Sequence, residues 1–125
     1  MSTAQHILVV DDDPMLRDLL VKTLEAIGHM AVAAENGLQA LSLLQQQTFS
    51  IVISDIKMPE MDGVELLRRI RSAHPGLPVL FISGFATAEL LGRAEPDGFL
   101  TKPFRIHHVE EMIEKVTSRR LSTDS

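Results

Sequence analysis

Residues 7 to 28 read ILVVDDDPMLRDLLVKTLEAIG, and this stretch decides the fold. Ile7 to Val10 is an apolar run rich in β-branched side chains, as a strand covered on both faces must be. Three aspartates end it. From Pro14 the apolar period changes: Leu16, Leu20, Leu24 and Ile27 fall on one helical face, and Gly28 closes the segment as a helix C-terminus. A buried strand, an acidic turn and an amphipathic helix make one βα unit.

The same alternation runs along the chain. Further strands are expected at Met30 to Ala33, Ile51 to Ser54, Val79 to Ser83 and Gly98 to Thr101. Leu38, Leu41 and Leu44 mark a second helix, and Val64, Leu67 and Ile70 a third that stops before Pro75. Ala86 to Ala94 makes a weak fourth helix interrupted by Gly92, and Val109, Met112, Ile113 and Val116 follow the i, i+3, i+4, i+7 pattern of a last one. Successive βα units joined by right-handed crossovers imply an α/β fold, a doubly wound parallel sheet with helices on both faces. One domain is expected over residues 1–118. Residues 119–125, in the stretch SRRLSTDS, carry too few apolar groups to pack and are expected to be a disordered tail or chain end.

Composition excludes several function classes. Twelve Lys and Arg against seventeen Asp and Glu give a net charge of −5, which argues against direct nucleic-acid binding, since phosphate backbones are bound by clustered cations. The absence of cysteine removes disulfides, thiolate catalysis and Cys-rich zinc sites. The opening MSTAQHILVVDDD lacks the cationic region of a signal peptide, and no apolar run approaches the roughly 20 residues that span a bilayer. A protein of the cytoplasm, without membrane contact, is expected.

Ligands of an open parallel sheet bind beyond the carboxyl ends of its strands. There the sequence puts Asp11, Asp12 and Asp13 after the first strand, Asp55 after the third, Ser83 at the end of the fourth and Lys102 after the fifth. Packed carboxylates repel unless a cation joins them. An all-oxygen set with open positions suits Mg²⁺, which often shares its shell with a phosphate, and a lysine alongside offers a point charge to a phosphoryl oxygen. The set points to phosphoryl chemistry on a carboxylate.

VVDDDP at 9 to 14, SDIKMPEMDG at 54 to 63, FIS at 81 to 83 and FLTKPF at 99 to 104 resemble the receiver domain of two-component response regulators. The resemblance covers about residues 6 to 117, and four motifs in order at successive strand ends make it specific. It implies the flavodoxin-like strand order 2-1-3-4-5. It implies that Asp55 is the phosphoacceptor and that Asp12 and Asp55 bind Mg²⁺ directly, with Asp11 acting through metal-bound water and the backbone carbonyl of Lys57 as a further ligand. Ser83 becomes the switch hydroxyl, Lys102 the partner of a phosphoryl oxygen, Phe99 the switch aromatic, and Lys102-Pro103 a cis bond. Pro59 and Gly63 shape the loop after Asp55. Lys57, Gly84 and Phe85 flank the acceptor and the hydroxyl, where receivers tune the lifetime of the phosphoryl group.

The implied function is a phosphorylation-dependent signalling switch in a phosphorelay. A histidine kinase or phosphotransfer protein is the donor, and a downstream protein or a separate output domain reads the result. Self-catalysed phosphorylation and dephosphorylation make it a switch rather than an enzyme. Two other classes compete. A pseudo-receiver would keep the fold as an interaction module without phosphorylation, which the intact acidic set opposes. A Mg²⁺-dependent aspartate-nucleophile phosphohydrolase would carry a second aspartate two residues after the nucleophile, where this chain has Lys57.

Plainer readings accompany individual residues. Asp13 is explained by a helix N-terminus, Phe99 fits a core position as well as a switch, and Phe85 either shields the phosphoryl group or faces a partner. Met58 and Met61 read as loop packing. His6, His29, His74, His107 and His108 share no metal spacing and are expected at the surface or at an edge. Ser83 and Lys102 lie closer together than in common receivers, and TAELLGRAEPDG at 87 to 98 holds Gly92 and Pro96, so the fourth helix is expected to be short or mobile.

Overall fold

The computed structural model describes residues 4–84 and 88–124, with side chains left undescribed at 88 and from 119 onward. Phe85 lies outside the described residues. The elements alternate as β1 (His6–Val10), α1 (Pro14–Ala26), β2 (Met30–Ala34), α2 (Gly37–Gln46), β3 (Ile51–Ser54), α3 (Gly63–Ala73), β4 (Val79–Ser83), α4 (Ala88–Ala94), β5 (Gly98–Thr101) and α5 (Ile106–Asp124). All strand pairs are parallel, in the order β2-β1-β3-β4-β5.

Local chemistry explains where the helices begin. Asp13 caps α1 by accepting from the amides of Met15 and Leu16 at 3.0 and 3.4 Å, with Pro14 in the first turn, where its missing N–H costs nothing. Asn36 caps α2 through the Gln39 amide, and Asp62 caps α3 through the Glu65 amide. Gly28 follows α1 at φ 102°, a conformation that the missing Cβ makes cheap.

The strands split their side chains between two cores, since alternate residues point to opposite faces. Leu8, Val10, Val52, Val79 and Phe81 pack under α2, α3 and α4 with Ala40, Leu44, Leu66 and Ile70. Ile7, Val9, Ile51, Ile53, Leu80 and Ile82 pack under α1 and α5 with Leu20, Leu24, Val109 and Ile113. Burying each such large apolar side chain contributes about 1.5–3 kcal/mol before the entropy cost. That stability holds the strand ends, and the groups on them, in a fixed frame.

Two expectations change. The backbone of α5 stays helical to Asp124, past Ser118, where composition suggested a frayed end. No glycine or proline interrupts residues 106–124, and each residue added to an existing helix gains a hydrogen bond without a new nucleus. His29 is buried rather than at the surface: its Nδ1 accepts from the Gln5 amide at 2.9 Å, and its Nε2 stands 2.8 Å from Glu110 Oε1. A ring satisfied at both nitrogens can be buried at little cost. Among the described residues the fourth helix is short, as expected, with seven residues from Ala88 to Ala94.

Candidate functional site

The site is assembled by the β1, β3 and β5 ends. Order 2-1-3-4-5 makes β1 and β3 neighbours whose connections leave to opposite faces, opening a crevice between them. The ladder holds both acidic residues by their backbones: the Asp11 amide donates to Ala34 O at 3.2 Å, and the Asp55 amide to Val10 O at 3.0 Å. On the far side, the Lys102 amide donates to Ser83 O at 3.0 Å just before the cis Lys102-Pro103 bond.

These backbones bring three charged side chains together. Lys102 Nζ donates to Asp55 Oδ2 at 2.8 Å and to Asp11 Oδ2 at 3.1 Å. The remaining oxygens are also engaged, Asp11 Oδ1 by the Asp13 amide at 2.9 Å and Asp55 Oδ1 by the Ile56 amide at 2.7 Å. Asp12 stands beside them on an exposed position, and ligand oxygens of Asp11, Asp12 and Asp55 all lie within 4.8 Å of one another.

Burial sets the electrostatics. Leu16, Leu20, Ile82 and Phe104 line a cavity of about 10 Å³ beneath Asp11 and Asp55, an apolar floor with room for about one water. Burial pushes the Asp11 carboxyl above its ordinary value, against the hydrogen bonds from Asp13 and Lys102 that favour its charge. Burial also opposes the Lys102 charge, but the hydrogen bonds to Asp55 and Asp11 together outweigh it and hold the ammonium above the usual lysine range. Three carboxylates against one ammonium leave the cluster short of positive charge. An all-oxygen donor set this close fits a hard divalent cation such as Mg²⁺, which keeps part of its water shell.

The loop after Asp55 is held by packing. Met58 and Met61 are buried, with Met61 lying against Gly37 at the start of α2, where a Cβ would come within 2.6 Å of its sulfur. A Cβ at Gly63 would stand 2.3 Å from the Asp55 carbonyl oxygen, so only glycine lets α3 start this near the acidic strand end. Pro59 and Lys57 are exposed on the same loop.

Ser83 is buried at the end of β4 and pairs with Thr101. Phe81, two residues earlier, pairs with Ser54, so Ser83 ends β4 one step past the level of Asp55. Gly84 follows, exposed, and a Cβ there would meet Lys102 Cβ at 3.8 Å, an ordinary contact. Phe99 pairs with Phe81 and is half-buried against the cluster that includes Leu90 and Leu91 of α4, as a core residue would be. The sequence reading missed Arg17. Its guanidinium Nη1 donates to the Asp11 carbonyl at 2.9 Å, a reach from the first turn of α1 that a basic residue soon after an acidic strand end could have signalled.

The family model of the response regulator receiver domain matches residues 7–114. The chain is 40% identical over 119 residues to the response regulator receiver protein CpdR of Brucella abortus, covering 90% of this chain and 96% of that one. It is 37% identical over 115 residues to the response regulator protein FleR of Pseudomonas aeruginosa, covering 90% of this chain but 24% of FleR. Among solved structures, response regulator TrrA from Thermotoga maritima in complex with Mg²⁺-BeF superposes with a TM-score of 0.82 at 31% identity, covering 90% of this chain and 98% of that one. The chain therefore belongs to the receiver-domain family of response regulators, phosphorylation-dependent switches of two-component signalling. No helix among the described residues is long and apolar enough to cross a membrane.

Proposed function

We propose that Asp55 accepts the phosphoryl group and that Asp11, Asp12, Asp55 and the Lys57 carbonyl hold Mg²⁺. The observation that carries this is the Lys102 ammonium bridging Asp55 Oδ2 and Asp11 Oδ2, with Asp12 close by. The Mg²⁺-BeF on TrrA supports the metal. When bound, Mg²⁺ supplies positive charge for the carboxylates and the incoming phosphoryl oxygens.

An Asp55 carboxylate oxygen attacks phosphorus, the bond from phosphorus to the donor's histidine nitrogen or acyl oxygen breaks, and the donor leaves with that electron pair. Lys102 meets charge on the phosphoryl oxygens, and the Asp13 and Ile56 amides keep the carboxylates aligned. The new charge draws the Ser83 hydroxyl, and Phe99, packed on the same core cluster as Leu90 and Leu91 of α4, carries the change to a partner surface. Lys57, Gly84 and Phe85 set how long the group survives.

The donor is a histidine kinase or phosphotransfer protein of the cytoplasm. Met15 and Leu19, one turn apart on α1 and 81% and 58% exposed, support docking of an apolar protein surface beside the site. A downstream protein or an output domain reads the switch.

Intact mass after incubation with Mg²⁺ and acetyl phosphate tests the reading. One added phosphoryl group is expected on the wild type and none on Asp55→Asn. An unlabelled wild type would support the interaction-module alternative, and normal labelling of Asp55→Asn would name the wrong acceptor.

A further inference from the structure

We propose that Arg17 is a positioning residue for the acidic loop, a role that rests on the metal and acceptor reading above. A cation in the first turn of a helix opposes the helix dipole, so helix electrostatics does not account for Arg17. Its partner does: Nη1 donates to the Asp11 carbonyl oxygen at 2.9 Å.

That bond completes the restraint of Asp11. Its amide is held by Ala34 O, its Oδ1 by the Asp13 amide and its Oδ2 by Lys102, leaving the carbonyl for Arg17. The peptide joining Asp11 to Asp12 is planar, so a donor fixing the Asp11 oxygen also fixes the plane from which the Asp12 Cα departs. Asp12 is the exposed member of the acidic group, without the burial that steadies Asp11. Arg17 thus orients Asp12 through the backbone, touching neither metal nor phosphoryl group. Residues that orient metal ligands from outside the coordination shell typically contribute about 10- to 100-fold to metal affinity.

A competing effect has the opposite sign. The guanidinium repels a divalent cation, so its removal would tighten binding if charge mattered more than position. Salt separates the two, because at about 1 M KCl the screening length falls to about 3 Å while a hydrogen-bonded backbone keeps its geometry.

Calorimetric Mg²⁺ titrations of the full chain in about 1 M KCl, on wild type, Arg17→Met and Arg17→Lys, provide the test. Arg17→Met should bind Mg²⁺ about tenfold more weakly, and Arg17→Lys, which keeps a donor, should recover to within about threefold of wild type. Acetyl-phosphate labelling at saturating Mg²⁺ should stay within about twofold of wild type in both, since Arg17 touches no reacting atom. Unchanged or tighter binding by Arg17→Met would overturn the proposal. So would equal weakening in both variants with a matching loss of melting temperature in EDTA, which marks a fold contact. A wild type that labels but binds no Mg²⁺ would instead overturn the metal reading on which Arg17 depends.

Discussion

Lys102 Nζ stands 2.8 Å from Asp55 Oδ2, joining residues 47 positions apart in the chain, and its second bond to Asp11 makes it the cation between two largely covered carboxylates. Both side chains of the Lys102–Asp55 pair are largely covered, at 18% and 11% exposure, so solvent screens them little. Removing one member of such a cluster costs more than the net value of the pair, because the remaining charges keep their desolvation penalty and lose their partner.

Lys102→Met should therefore destabilise the metal-free protein by about 2 kcal/mol, less than a fully buried pair because the ammonium keeps some exposure. Mg²⁺ can replace part of the missing charge. Urea melts in EDTA and in Mg²⁺ should show a larger metal-dependent gain for the variant than for the wild type. Equal gains would mean that the ammonium and the cation do not serve the same carboxylates.

Gly63→Ala should cost about 2–4 kcal/mol, since the new methyl would lie 2.3 Å from the Asp55 carbonyl oxygen and 2.9 Å from Ile56 Cα, backbone atoms that cannot swing aside. The displaced atoms belong to the acidic strand end. Labelling at saturating Mg²⁺ should fall even at temperatures where Gly63→Ala remains folded, and a folded, normally labelled variant would show that the α3 start tolerates displacement.

The βα alternation was legible because ILVV, IVIS and VLFIS are apolar on both faces, and the acidic and basic strand-end residues were legible because a parallel sheet gathers them at one edge. Hydrogen bonds between distant segments were not. His29 looked like any loop histidine, since its partners, Gln5 and Glu110, lie 24 positions before it and 81 after it. Arg17 stood in view as a basic residue soon after the acidic strand end, but its acceptor is a backbone carbonyl rather than a carboxylate, so charge pairing alone did not point to it. The end of α5 was not legible because its last turns carry few apolar groups to mark a helical face, although no glycine or proline breaks residues 106–124.

Glu65 gives a pH prediction of known sign. Hydrogen bonds from Arg68 and Arg69 lower its carboxyl from the ordinary 4.5 to about 2. A carboxylate with a depressed folded-state value adds stability above its unfolded value and loses it as pH falls, so the contribution is present above about 4.5 and gone below about 2. The group keeps 34% of its side chain exposed among exposed arginines, so the effect is small and salt-sensitive. The stability gap between wild type and Glu65→Gln should close across that window at low salt and shrink in 1 M KCl, as read by urea melts. A gap independent of pH would assign the difference to helix propensity.

The short fourth helix should exchange its amide hydrogens faster than α5, and unevenly along its length. Seven residues give few internal bonds, and Gly92 adds backbone entropy. The C-terminal end is fastened: Arg71 of α3 donates to Ala94 O at 2.8 Å and to Glu95 O, and stands 3.8 Å from Asp97 Oδ2. Asp97 in turn accepts from the Val79 amide at 2.8 Å, tying the turn to β4. Arg71→Ala should remove both hydrogen bonds to the last carbonyls and accelerate exchange in residues 91–95 several-fold, about 1 kcal/mol of local opening, with α5 unchanged. Exchange across α4 as slow as in α5, or no response to Arg71→Ala, would show that packing by Leu90 and Leu91 holds the helix instead.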